Sequence, residues 1–256
     1  MKQVRVSARR PKQLSLPGLE QKRAGKRRGP KLGTGRRAVR HRVRDAHASS
    51  HPLHVVMRSR MRSLRTQFVF PTLRRAFAEA NRVRPGFRIT QFSVQGDHVH
   101  LIVEAEDKAS LSRGMQGLAI RIARRINTLV GRSGKLWADR FFSRELESPR
   151  VVRNALAYVL NNHKKHRGMR GNQRFANREP SIDPYSSAPY FRGFLELHGR
   201  APCEVPPRRG LPLVPSGVPP LAADEPLPIV SGVSWLTRVG WQRAGLIAFA
   251  DTPAEA

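Results

Sequence analysis

The chain has 256 residues, 48 Lys and Arg against 18 Asp and Glu, a formal charge of +30 and an isoelectric point near 11.9. That balance argues against most housekeeping metabolic enzymes and points to a polyanionic partner, either nucleic acid or an acidic membrane surface. A single cysteine, Cys203, excludes a disulfide framework and a thiolate zinc cluster, and no run approaches the ~18 apolar residues of a membrane span.

Residues 1–48 hold 16 Lys and Arg and 2 acidic residues, mixed with Gly and Pro and without any period. They cannot bury enough apolar surface to offset the entropy of ordering, so they read as a disordered basic arm that grips phosphates in a salt-sensitive way. No apolar stretch follows the basic start, so it does not read as a secretory signal. The chain is expected to be soluble and cytoplasmic. Residues 49–190 read as the folded domain. Residues 191–256 read as a linker, with nine prolines between 201 and 230, followed by a short amphipathic tail around Trp235, Leu236, Val239, Trp241, Leu246 and Ile247. Gly240 and Gly245 weaken that tail as a helix.

Within the domain, residues 52–59 predict a strand. Residues 67–84 predict a helix with Leu73, Phe77 and Ala80 on its buried stripe and Pro71 in its first turn. Residues 88–95 and 98–104 predict two strands separated by Gly96-Asp97, a hairpin signal. Residues 107–130 predict a second helix that buries Leu111, Met115, Leu118, Ile122, Ile126 and Leu129 and stops at Gly131. Residues 143–147 predict a last short strand. A third helix then starts with Ser148 as cap and Pro149 in its first position. The order β-α-β-β-α-β plus a helix is the α+β ferredoxin-like arrangement, an antiparallel sheet with helices on one face and disordered tails on either side.

Two features carry candidate chemistry. His98 and His100 flank Val99 on the third strand, and side chains at i and i+2 share a face. Two imidazoles on one face can ligate a divalent metal, although an isolated His-X-His is more often an ordinary pair of surface histidines. Tyr158 and Asn162 are four apart on the third helix and share a face, opposite Val152, Leu156 and Val159. Among the other candidates, Trp137 reads as a core seal before a base stacker. Arg140 reads as a phosphate contact or a partner of Asp139. His54, on the first strand, reads either as lining the cleft or as structural, the more common case for a lone strand histidine, and Gln91 and Gln95 either flank the site or face solvent.

The runs GDHVHLIVE, GKLWADRFFSRELESP and ALAYVLNNHKKH, in this order, resemble the HUH single-strand-DNA transposases, and among them the REP-associated tyrosine transposases. The resemblance covers about residues 50–190. It implies that His98 and His100 are metal ligands, that Tyr158 is the nucleophile and that Asn162 completes the metal site, with Mg²⁺ or Mn²⁺ as the ion. It also implies single-stranded DNA bearing hairpins as the partner, a 5′-phosphotyrosine intermediate, and a tyrosine helix used either within one chain or across a homodimer. The candidate DNA contacts are Arg113, Arg121, Arg124, Arg140, Lys164 and Lys165, since Arg suits bidentate phosphate recognition. The alternative expectation is a domesticated, non-catalytic DNA- or RNA-binding regulator on the same fold.

Overall fold

The structure, a computed structural model, describes residues 46–169, 182–205, 221 and 224–251. Most of the basic arm read from the sequence therefore lies outside the described residues, as does much of the proline-rich linker. The elements follow the expected order: β1 Leu53–Arg58, α1 Phe70–Val83, β2 Phe87–Val94, β3 His98–Ala105, α2 Lys108–Leu129, β4 Phe142–Glu145 and α3 Pro149–Met169. The short helix α4, Trp235–Arg238, follows near the end. The sheet runs β2-β3-β1-β4, and every neighbouring pair is antiparallel, which is the ferredoxin-like topology. Among the described residues no helix is long and apolar enough to cross a membrane.

Strand alternation divides the molecule into two cores. On one face Val55, Val99, Leu101 and Val103 pack under α1 and α2, which contribute Leu73, Phe77, Met115, Leu118, Ile122 and Ile126. Leu129, expected on the same stripe, is only half-buried at the helix end. Asp107 caps α2 by accepting from Ser110 N at 2.6 Å. Ser148 accepts from Val151 N at 3.3 Å at the start of α3, as its sequence position predicts.

β2 contains one irregularity with consequences for the site. Its register with β3 slips between Ile89 and Gln91, so Thr90 is an extra residue, and its Oγ1 donates to Ile102 O at 3.0 Å. This β-bulge keeps Phe87, Ile89, Phe92 and Val94 in the first core and turns Gln91 and Ser93 to the other face.

On that other face Ile102 meets α3 through Val152, Leu156, Val159 and Leu160. The same core takes Leu197, Leu236, Trp241, Ile247 and Phe249. The region read from the sequence as a linker and a tail is therefore partly built into the domain. Glu104, buried on β3, accepts from Val233 N at 2.7 Å, from Ser234 N at 3.0 Å and from the Thr237 hydroxyl, which fixes the start of α4. Arg153 pairs with Asp251, and Arg74 pairs with Glu225 at 2.9 Å with both side chains nearly excluded from solvent. α4 ends at Arg238, and a 3₁₀ turn takes over at Gly240, where a Cβ would lie 2.6 Å from the Trp235 ring. Residues 183–187 run along β2, with Val94 N donating to Tyr185 O at 2.8 Å and Ser187 N to Phe92 O at 2.9 Å.

Candidate active site

The expectation for β3 holds at the level of faces. Val99 and Leu101 point into the first core, while His98 and His100 point toward the side covered by α3. Their ring centroids are 4.8 Å apart and nearly perpendicular. α3 buries Val152, Leu156 and Val159 and brings Tyr158, half-buried, over the histidines. The phenol ring lies 5.1 Å from His100 and 5.8 Å from His54, edge-on to both. Three of the residues named from the sequence, His98, His100 and Tyr158, are thus neighbours within one chain.

Asn162 follows Tyr158 by one turn on the same helix face. It is completely buried, and neither its amide nitrogen nor its amide oxygen has a hydrogen-bond partner among the described residues. Leaving a buried polar group unsatisfied costs about 1–3 kcal/mol, so such a group calls for an explanation.

The imidazoles are oriented from behind. Asp97 Oδ1 lies 2.7 Å from His98 Nδ1, and this hydrogen bond holds the Asp97 carboxyl below the usual carboxylate range. An ionised carboxylate only accepts, so the proton sits on Nδ1 and a neutral ring carries its lone pair on Nε2. His54 Nε2 lies 3.1 Å from His100 Nδ1, with the two rings stacked at 5.2 Å. Burial, helped by the charge of Arg144, lowers the His54 pKa from 6.5 to about 4, so the ring is uncharged at neutral pH. Since a second side chain engages Nδ1 of each histidine in the pair, coordination of a metal by either would use Nε2.

Among the described residues no group of three or more His, Cys, Asp or Glu is arranged to hold a metal. A cation at this place would therefore rest on the two imidazoles and a neutral third donor such as the Asn162 carboxamide. That N,N,O set suits a divalent ion and leaves its charge uncancelled.

Other named residues are distributed differently. Ser93 stands opposite His100 in the β2–β3 register and accepts from Gln95 Nε2 at 2.8 Å. Gln91, on the same face as Ser93, accepts from the Ser187 hydroxyl at 2.6 Å. Both glutamines thus hold neighbouring structure on the histidine face. Trp137 packs against the first core and donates Nε1–H to Ala119 O at 2.9 Å, so it seals the core. Arg140 is exposed. Lys164 and Lys165 belong to α3, but their side chains fall outside the described residues.

Arg113, Arg121 and Arg124 sit on α2, which covers the face of the sheet opposite the Tyr158 cluster. Arg121 pairs with Glu79 at 3.1 Å, and Arg125 pairs with the same carboxylate at 2.7 Å. Arg124 is exposed and lines an open groove of about 590 Å³ with Arg75 and Thr72.

Two further histidines lie at or beside the site, and only His163 had no signal in the sequence. His54, read from the sequence as either a cleft residue or a structural one, stands beside His100 and Tyr158, and its alternation with Leu53 and Val55 puts it on the face away from the first core. His163, the residue after Asn162, is buried with Nδ1 4.0 Å from Asp183 Oδ2. Asp183 in turn accepts two hydrogen bonds from Arg65, at 2.9 and 2.6 Å.

Comparison with known proteins gives a matching description over the same region. Residues 47–162 match the family model described as IS200-like transposase. No curated protein matches the chain. Among solved structures, the chain is similar to a REP-associated tyrosine transposase bound to a REP hairpin, at 16% identity, over 71% of this chain and 99% of that one, with a TM-score of 0.45. It is also similar to a candidate transposase from Deinococcus radiodurans, at 16% identity, over 54% of this chain and 98% of that one, with a TM-score of 0.33.

Proposed function

We propose, from the match of residues 47–162 to the IS200-like transposase family model, that the chain cuts and rejoins single-stranded, hairpin-bearing DNA with Tyr158 as nucleophile. In this reading His98, His100 and Asn162 hold a divalent cation, Mg²⁺ or Mn²⁺. The observation that carries the proposal is the approach of the Tyr158 ring to His100, 5.1 Å between centroids, with the Asn162 amide buried on the same helix face and without a hydrogen-bond partner among the described residues.

The residue types fit the chemistry. A phenol has a pKa near 10 and is a weak nucleophile at neutral pH, and a phosphodiester is an anion that repels attack. When bound, the cation would polarise the scissile phosphate and offset its charge. Asp97 and His54 orient the imidazoles so that little reorganisation is needed when phosphate arrives. Tyr158 Oη attacks phosphorus and forms an O–P bond as the P–O3′ bond breaks. The phenolic proton is lost and the departing 3′ oxygen gains one. The products are a 5′-phosphotyrosine and a free 3′-OH. Attack by a 3′-OH on the phosphotyrosine reverses the step, expels the phenol and rejoins strands without an external energy source.

Arg140, Lys164 and Lys165, together with the basic arm, are proposed to hold the DNA backbone. Arg113, Arg121 and Arg124 are proposed to contact phosphates away from the cleavage point, because α2 lies across the sheet from it. The test is formation of a protein–DNA adduct that survives denaturation. DNA binding without such an adduct would leave a binding protein on a transposase fold.

A further inference from the structure

The sheet register lines up side chains in rows across the histidine face. Ser93 stands opposite His100, His100 opposite Val56, and Val56 opposite Phe142. Directly opposed residues of an antiparallel pair share a face. Phe142 therefore belongs to the face that carries the Tyr158 cluster, two strands from His100 and about 10 Å away at the usual strand spacing. It lies on the edge strand β4 and is 64% exposed, the highest value among the large apolar residues described.

A single exposed apolar residue is ordinary on a protein surface. The surroundings of Phe142 set it apart. Arg144, two residues along β4, stands opposite His54, and Arg58 on β1 stands opposite His98. Both arginines are exposed. One cation thus lies a row to each side of the ring, on the same face. An aromatic ring between cations along a strand's path is the pattern by which proteins hold single-stranded nucleic acid, with bases stacked on the ring and phosphates at the charges.

We propose that Phe142 is a stacking platform for one base of the single strand that passes the Tyr158 site, with Arg58 and Arg144 contacting the phosphates beside it. This deepens the reading of the chain as a single-strand cutter and rests on it. Every base has a π-face, so the platform sets where the strand lies and leaves sequence choice to other contacts.

The test uses the full chain carrying Tyr158→Phe, which isolates binding from cutting. The probe is an oligothymidine with one 2-aminopurine, moved a position at a time. The expected result is fluorescence quenching at one or two adjacent positions on binding. Phe142→Leu, which keeps the apolar bulk and removes the ring, should abolish that local quench and weaken binding about 5- to 100-fold. Phe142→Trp should keep both. An oligonucleotide that binds Phe142→Leu with unchanged affinity and an unchanged quench pattern overturns the stacking proposal alone. Failure of the unsubstituted chain to bind any oligonucleotide overturns the single-strand reading, and the platform with it.

Discussion

The Tyr158 ring stands edge-on to the His100 imidazole, at 83° with 5.1 Å between centroids. One ring comes from α3 and the other from β3, and the packing of Val152, Leu156 and Val159 on Ile102 sets the distance between them. Because the contact is made by the ring, Tyr158→Phe should leave the fold in place. The loss of stability is expected to stay within about 1.5 kcal/mol, the net worth of one hydroxyl hydrogen bond. Thermal denaturation checks this, and a larger loss would mean that the hydroxyl is structural.

Asn162 offers a test in which function and stability move in opposite directions. Its buried amide has no hydrogen-bond partner among the described residues. Replacing it with Leu, of similar shape, removes the desolvation penalty. Asn162→Leu should therefore stabilise the metal-free protein by about 1–3 kcal/mol and weaken Mn²⁺ binding. Denaturation in chelator and Mn²⁺ titration by electron paramagnetic resonance measure the two effects separately. A destabilised variant with unchanged Mn²⁺ affinity would rule Asn162 out as a ligand.

Gly114 faces Phe87 across the contact between α2 and β2, where an added Cβ would lie 2.3 Å from the ring. In an open helix, Gly→Ala gains about 1 kcal/mol. Here the ring is buried and cannot retreat, and overpacking costs about 1–3 kcal/mol. Gly114→Ala should therefore destabilise despite its better helix propensity, and pairing it with Phe87→Leu should recover part of the loss. Chemical denaturation of the single and double variants decides the sign.

The Arg74–Glu225 pair ties the late segment to α1 from a distance of 151 residues in sequence. Glu225→Gln leaves a buried guanidinium without its counter-charge and should cost about 3–5 kcal/mol, whereas Arg74→Met with Glu225→Leu should restore most of it. A near-neutral Glu225→Gln would show that the segment contributes little to the fold.

Deleting residues 1–45 removes much of the positive charge and should both weaken DNA binding and reduce its salt dependence. Fluorescence anisotropy across a salt series measures the slope. An unchanged slope would mean that the arm makes no phosphate contacts.

Local signals in the sequence were enough for the element order and for the faces of β3 and α3. Gly96-Asp97 marked the hairpin, Ser148-Pro149 marked the start of α3, and the alternation around Val99 put His98 and His100 together. Nonlocal features were harder to read. The phase slip at Thr90 is present in the sequence as Ile89 followed by Phe92, but only pairing with β3 shows that it turns Ser93 toward His100. The role of His54 depends on a neighbouring strand. Arg113, Arg121 and Arg124 lie off the apolar stripe of α2, which keeps them out of the core but does not reveal which side of the sheet α2 covers. The late segment reads as a linker and a short tail because prolines precede it and Gly240 and Gly245 interrupt its amphipathic pattern, so nothing local marks Leu236, Trp241, Ile247 and Phe249 as core. They are buried by contact with α3 rather than by a local pattern.

The most direct test of the central claim is to incubate the chain with hairpin-tipped single-stranded DNA and Mg²⁺ or Mn²⁺, denature, digest, and locate the nucleotide-bearing peptide by mass spectrometry. A nucleotide linked through phosphate to Tyr158, formed only with the metal present and absent from Tyr158→Phe, is the predicted result. An adduct on another residue, or cutting by the phenylalanine variant, would contradict it.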